Sequence, residues 1–261
     1  MALGSRLTGG RRLALWLGWT FACLPIQMIL LVIGGRPASR LPRLYHRLSV
    51  RLLGMEVTTT GAPAATGPVL FVANHSSYLD IIVLGSLLEG SFIAKAEVAG
   101  WFFFGLLAKM QRTVFVDRRR PGTAGRQRDD LTQRLRAGHN LILFPEGTSS
   151  DGNRTLPFKS ALFAAAQPVD GRDILVQPVS IAATHLDGIP LGHALRPLYA
   201  WYGDMTLPPH LWAMVQAGLI RVAVEFHPPV TLTQFANRKG LADHCWRAVT
   251  AGVARMVTGR T

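Results

Sequence analysis

Cysteine is scarce in this sequence. Cys23 and Cys245 are the two, far apart and outside any Cys-x-x-Cys pair. That argues against a disulfide framework and against a cysteine zinc site, and it is compatible with a reducing cytoplasm. Charge is sparse too, at 16% of residues, and acid is the scarcer sign: 15 Asp+Glu against 28 Lys+Arg, a formal net charge of +13. With 49% hydrophobic residues, the chain is too apolar to be disordered and has ample material for a core. The shortage of acid calls for an anionic partner, either nucleic acid or an anionic lipid surface. No zinc finger, RNA-binding aromatic motif or other nucleic-acid module is present, so no nucleic acid is expected. Internal repeats, long low-complexity tracts and a Gly-x-Ser-x-Gly elbow are also missing. His185, His193, His210 and His227 lack metal-ligand spacing, and no metal site is expected.

What the sequence does have is a long apolar run. Leu13 to Gly35 carries no charged residue, and its length of about 23 residues suffices to cross a bilayer core of roughly 30 Å. A signal peptide would have a shorter apolar stretch and a small-residue cleavage site, whereas here Arg36 follows. Pro25 and Gln27 interrupt the middle, so a straight span and a bent or re-entrant hairpin both fit. Arginines flank both sides, and the positive-inside rule therefore sets no orientation for a single span. A monotopic hairpin with both flanks cytoplasmic removes that conflict.

The next segment repeats arginine at 36, 40, 43, 47 and 51, and leucine at 41, 44, 48 and 52. The spacing predicts an amphipathic helix over 39–53, with a leucine stripe beside an arginine stripe. Such a helix suits the headgroup region of an anionic membrane surface; the alternative is a helix packed on the domain with a solvated basic face. Residues 1–54 thus read as a membrane-anchoring segment with a basic amphipathic helix, and 55–261 as one catalytic domain.

After a Gly/Ala/Pro linker over 61–67, short apolar runs alternate with helical patterns. Strands are expected at 68–73, 91–94, 113–116, 140–144, 174–183 and 220–226. Helices are expected at 77–88, 100–109, 123–137, 160–167 and 242–257. The alternation indicates an α/β fold with a mixed, largely parallel sheet flanked by helices.

Two constellations carry the chemistry. Asn74-His75-Ser76-Ser77-Tyr78-Leu79-Asp80 lies at a strand end, where α/β sheets place active sites. His75 is a general base suited to neutral pH. In a continuous helix its side chain and that of Asp80 would point about 140° apart, so the pair meets only if His75 sits in the turn before the helix. Ser77 as N-cap gives that geometry. A bare helix cap, with Asp80 near the positive helix end, explains the same spacing. The second constellation, Phe144-Pro145-Glu146-Gly147-Thr148-Ser149-Ser150, also follows a strand and offers a carboxylate next to a flexible glycine for substrate hydroxyls or amides.

Together these resemble the first and third sequence blocks of the PlsC-type glycerolipid acyltransferases. Val114-Phe115-Val116-Asp117-Arg118 looks like the second block, and Val176-Gln177-Pro178-Val179-Ser180-Ile181 like the fourth. Lys95-Ala96-Glu97 sits where the family has a Lys-x-Glu before an apolar helix. The resemblance spans roughly residues 55 to 230 and implies the glycerolipid acyltransferase fold.

It also implies roles. His75 and Asp80 would be the catalytic pair; Asn74, Lys95, Arg118, Glu146, Gly147, Thr148 and Pro178 would serve substrate binding. The donor would be acyl-carrier protein or acyl-CoA, an activated thioester that requires no cofactor. The acceptor would be a lysolipid, at the cytoplasmic membrane with the site facing the cytoplasm. The main expectation is 1-acyl-sn-glycerol-3-phosphate, giving phosphatidic acid. One position departs: the third block usually continues Gly-Thr-Arg, with the arginine associated with the acceptor phosphate, and here Ser149 stands instead. Arg118, Lys95, Arg154 and Lys159 are then the candidate phosphate partners. Segments such as Trp201-Tyr202-Gly203-Asp204-Met205 resemble a bacterial subgroup that includes lyso-ornithine lipid acyltransferases, which makes lyso-ornithine lipid the alternative acceptor.

Overall fold

The computed structural model describes residues 4–65, 67–116, 124–168 and 171–259. The chain opens with helix α1 (Arg6–Ile33), which starts on Ser5, whose hydroxyl accepts from the Thr8 N–H. It runs unbroken through Pro25, so the bend considered from the sequence is not at that proline. The reversal comes at Gly34 and Gly35, both at positive φ (79° and 81°), a conformation that a side chain would resist. Helix α2 (Arg36–Leu52) then returns antiparallel: Trp19 Nε1–H donates to the Tyr45 carbonyl (3.2 Å) and Gln27 Nε2–H to the Ala38 carbonyl (3.0 Å).

α1 buries only a narrow stripe, Gly9, Trp16, Thr20, Cys23 and Gln27; Leu15, Phe21, Ile26, Ile29, Val32 and Ile33 stay exposed. It is long and apolar enough to cross a membrane. On α2 the inward face is not the leucine stripe. Ala38, His46, Ser49 and Val50 are buried, while Leu44 is 54% exposed. The cause is close approach: the His46 ring lies against Gly85, where even a Cβ would come within 2.5 Å of it. Small partners set the packing face here, and the exposed arginines 36, 40, 47 and 51 follow from it.

The strands are β1 (Met55–Thr60), β2 (Val69–Ala73), β3 (Ser91–Lys95), β4 (Val114–Val116), β5 (Leu141–Leu143), β6 (Leu175–Leu186), β7 (Ile189–Pro190) and β8 (Ile220–Phe226). They form an 8-stranded sheet in the order β1-β8-β6-β2-β5-β3-β4, with β7 paired to β6. The run from β6 to β4 is parallel; β8 pairs antiparallel with β6 and parallel with β1. β2 is buried at every position, as a strand covered on both faces must be. Its side chains alternate between two cores. Val69, Phe71 and Ala73 face the layer of α1, α2, α3 (Leu79–Leu87) and α6 (Leu207–Gln216). Leu70 and Val72 face α5 (Ala124–Arg136), α7 (Arg238–Thr258) and a 3-10 turn at Ser160–Ala166, which takes the place of the α-helix expected there. Helix α4 (Phe102–Met110) lies beside α1, with Trp16 and Phe103 edge to face at 6.3 Å.

The N-terminal helix is tied to the far end of the sequence. Arg12 Nη1 donates to the carbonyls of Ala217 (2.6 Å) and Val215 (3.3 Å), capping the C-terminus of α6. β1 and α6 are both elements that the sequence pattern did not anticipate.

Candidate active site

β2 delivers Asn74 and the loop after it to the C-terminal edge of the parallel strands, and β5 delivers Phe144 to Ser150 to the same edge. His75 sits in the turn before α3, whose first residue is Leu79. Its Nδ1 lies 3.0 Å from Asp80 Oδ2. That same oxygen accepts the backbone N–H groups of Ser76 (2.7 Å) and Ser77 (2.9 Å). The helix cap and the His–Asp pair are therefore one arrangement: the carboxylate that closes the loop also orients the imidazole. Since Asp80 accepts from Nδ1–H, Nε2 carries the lone pair. The His75 side chain is 19% exposed and Asp80 fully buried, so the ring reaches the cleft and its partner does not.

The imidazole is held flat. Phe144 stacks on it with centroids 4.0 Å apart and planes at 17°. Phe92 stacks on Phe144 in turn, at 6.0 Å. Backbone bonds stitch the loops: Ser150 N–H donates to the His75 carbonyl (2.9 Å) and Trp201 N–H to the Ser76 carbonyl (2.7 Å). Ser149 Oγ donates to the Trp201 carbonyl (2.5 Å). The residue at the arginine position of the family thus serves the scaffold of the cleft.

Glu146 is 2% exposed. Its Oε1 accepts the His75 backbone N–H (3.2 Å), while Oε2 is buried without a partner. Burial pushes its carboxyl up to about 8, against the opposing pull of the His75 and Leu156 backbone N–H groups. Its carboxyl is thus held toward the neutral form next to the His75–Asp80 pair. Gly147, at φ 74°, turns the chain past it, and Thr148 projects to solvent.

Other expected contacts fall elsewhere. Both ends of the Asn74 side-chain amide bond the Ile181 backbone (2.8 and 2.9 Å), so it clamps β6 rather than facing substrate. Pro178 is buried within the sheet opposite Val72, below the cleft, with its carbonyl taken by the His227 N–H. Lys95 is exposed at the same strand edge as His75, and Arg154 and Lys159 are exposed on the loop after Ser150. Arg118 lies outside the described residues.

One feature escaped the sequence, and another was anticipated in part. Tyr199 donates its hydroxyl to Asp80 Oδ1 (3.0 Å) from 119 positions away, with no spacing signal to announce it. A cavity of about 170 Å³ opens between α1, α2, α3, α4 and β3, and Trp101, Phe104 and Leu107 are in its lining; the apolar run Trp101 to Leu107 suggests from sequence either an acyl-channel lining or a surface that enters the bilayer. Among the described residues, no group of three or more His, Cys, Asp or Glu is placed to hold a metal ion.

A family model described as Acyltransferase matches residues 53–182. The chain is 42% identical over 245 residues to the lyso-ornithine lipid O-acyltransferase of Brucella abortus, covering 92% of each. It is 39% identical to the lyso-ornithine lipid O-acyltransferase of Rhizobium meliloti, over 91% of this chain and 81% of that one. Against the 1-acyl-sn-glycerol-3-phosphate acyltransferase of Neisseria meningitidis, identity is 32% over 85% of this chain and 84% of that one. In fold the chain is similar to PlsC from Thermotoga maritima, with a TM-score of 0.66 at 22% identity, covering 95% of this chain and 97% of that chain. A histidine–aspartate pair on this sheet edge, in a sequence this close over almost its full length to named acyltransferases, leaves one conclusion: the chain belongs to the PlsC-type glycerolipid and lysophospholipid acyltransferase family and is an O-acyltransferase.

Proposed function

We propose that the protein acylates the free hydroxyl of a lyso-ornithine lipid, using an acyl thioester of acyl-carrier protein or coenzyme A. The observation that carries the choice of acceptor is Ser149. Its hydroxyl is bound into the wall of the cleft, so a neutral side chain stands at the position of the family's arginine. The more similar relatives carry the lyso-ornithine name, at 42% and 39% identity, against 32% for the glycerol-3-phosphate enzyme of Neisseria meningitidis. Both observations support the alternative acceptor over the lysophosphatidic acid expected first. Ornithine offers an ammonium and a carboxylate in place of a phosphate.

In this mechanism His75 Nε2 takes the proton of the acceptor hydroxyl as its oxygen attacks the thioester carbonyl. Asp80 stabilises the imidazolium, which then protonates the departing thiolate as the carbonyl re-forms. The acyl chain occupies the apolar cavity, which begins next to Phe92 and the His75–Phe144 stack. The exposed apolar side of α1, continued by Phe102 and Leu106 of α4, enters the cytoplasmic membrane, and the arginines of α2 meet anionic headgroups from the cytoplasmic side. Offering lyso-ornithine lipid and lysophosphatidic acid together with one acyl donor, and weighing the products by mass spectrometry, tests the acceptor. A clear preference for lysophosphatidic acid rejects it.

A further inference from the structure

The edge of the sheet opposite His75 holds a further cavity, of about 180 Å³. A single water needs only about 10–15 Å³ of such space, so there is room for a solute. Three turns meet the start of α2 there. The turn before β3 supplies Glu89, the end of α4 Arg112, the turn before β5 His139, and the first turn of α2 Ala38 and Ser39. Ser39, Glu89, Arg112 and His139 are each half-buried, with surface left for a ligand.

Arg112 is the residue out of place. It stands at φ 60°, one of two non-glycine residues at positive φ among the described ones. The cause is the way α4 ends. Thr113 N–H donates to the Ala108 carbonyl (3.0 Å) and Arg112 N–H to the Lys109 carbonyl (2.9 Å), paired closing bonds that require a left-handed residue just past the helix. Helix α5 ends with the same pair of bonds and has Gly138, at φ 79°, in the matching position. Glycine takes that conformation freely and a side chain does not. An arginine in such a place points to a use for its side chain. Inside the protein that use is not met. Arg134 Nη1 donates to the Arg112 carbonyl (2.8 Å) and to Ser91 Oγ (3.2 Å), so Arg134 pins the backbone, while the Arg112 guanidinium has no acceptor among the described residues.

The surroundings are positive. Burial holds the His139 imidazole below its ordinary range, Arg112 and Arg134 add to that, and Glu89 opposes it. Glu89 is the one acid among the lining residues, and it is engaged: its Oε1 accepts the Ser39 hydroxyl (2.6 Å). Helix α2 opens at that point with no capping side chain, so the positive end of its dipole is turned to the same cavity.

We propose that this cavity binds a phosphate-type oxyanion, held by the Arg112 guanidinium and the His139 imidazole beside the opening turn of α2, apart from the site of acyl transfer. A guanidinium fork matches two oxygens of such a group, and the imidazole adds one N–H. Arg36 and Arg40, read above as meeting anionic headgroups, flank Ser39 on α2. A lipid phosphate therefore reaches the cavity from the membrane surface, and free phosphate reaches it from solution. The chemistry is shared, and only the lipid source rests on the membrane reading.

The test is isothermal titration calorimetry of the full-length protein in an uncharged detergent, with inorganic phosphate and dihexanoyl phosphatidylglycerol as the two probes. Arg112→Gly should weaken binding by at least about tenfold, the worth of one charge-assisted hydrogen bond. His139→Ala should weaken it less, and Glu89→Gln should strengthen it, because a like charge leaves the lining. Without probe, Arg112→Gly should melt no lower than wild type, since glycine relieves the backbone. Phosphatidylglycerol bound more tightly than phosphate, with Arg112→Gly weakening it, makes the occupant a lipid. Phosphate bound as tightly as the lipid, with the same loss in Arg112→Gly, makes it a free oxyanion and leaves the site standing without the membrane reading. No binding of either probe, binding unchanged in both Arg112→Gly and His139→Ala, or weaker binding in Glu89→Gln overturns the proposal. So does a clear fall in the melting temperature of Arg112→Gly, which would assign that side chain to the scaffold.

Discussion

The Tyr199 hydroxyl donates to Asp80 Oδ1 at 3.0 Å, the carboxylate oxygen that His75 does not use. Burial holds the phenol far above its ordinary range, reinforced by the neighbouring Asp80, so it remains a donor at any working pH. Tyr199→Phe leaves a buried carboxylate oxygen short of a donor. The change should cost about 1–3 kcal/mol in stability and lower kcat by roughly tenfold, with KM unmoved because Tyr199 touches no substrate. Urea unfolding and steady-state kinetics on one preparation read both numbers.

His75→Ala removes the base itself and should lower turnover by at least roughly 10³-fold. Near-normal turnover by a folded variant would end the acyl-transfer role given to this residue. Asp80→Asn should be comparably damaging, because an amide cannot both accept from His75 and stabilise its charged form. Were Asp80 only a cap, the cost would be about 1 kcal/mol of stability with turnover intact.

Glu146 makes stability depend on pH. Its carboxyl sits at about 8 in the folded protein against 4.5 as its ordinary value. Between those values the unfolded chain has released the proton and the folded chain keeps it. Stability should therefore fall as pH rises through that window, with a slope approaching about 1.4 kcal/mol per pH unit from this group. Glu146→Gln should flatten the curve, as measured by urea melts across the window. A slope identical in both proteins contradicts the assignment.

Ser149→Arg restores the cation that the family's third block usually carries. It should raise the use of lysophosphatidic acid relative to lyso-ornithine lipid by about tenfold, the effect of one charge-assisted hydrogen bond. Product ratios from a mixed-acceptor assay decide it. No change in the ratio detaches acceptor choice from this position.

The membrane reading predicts salt sensitivity. Replacing Arg36, Arg40, Arg47 and Arg51 with glutamine should weaken binding to anionic vesicles by about 1 kcal/mol per residue at low salt, with the difference shrinking as salt rises. Flotation with neutral vesicles should show no such difference between variant and wild type.

How far the sequence spoke depended on how each element is covered. β2, β5 and β6 were legible because strands buried on both faces read as unbroken apolar runs. β1 was not, since only Met55 of Met55–Thr60 is buried and its threonines look like a loop. α6 was hidden by Pro208 and Pro209, which sit in the first helical turn, where no N–H is required. In the site, the His75–Asp80 contact was anticipated because it is local. Tyr199 was not, because only the fold brings residues 119 positions apart within bonding distance. The Ser160–Ala166 segment has helical composition but tightens to a 3-10 turn. Asn74 shows the opposite limit: a polar residue next to His75 whose amide serves the sheet.

The pairing of β1 with β8, and the grip of Arg12 on Ala217, have a consequence for how the molecule is made. Emerging from the ribosome, the first strand meets β8, and Arg12 the carbonyls that it caps, only after more than three-quarters of the chain has been translated. Until then β1 has no strand to pair with and the side of α1 that packs on α6 is uncovered, the kind of surface that aggregates in water. A bilayer that receives α1 early would shelter it through that interval, so the anchor would act as a holding site during synthesis as well as an address afterwards.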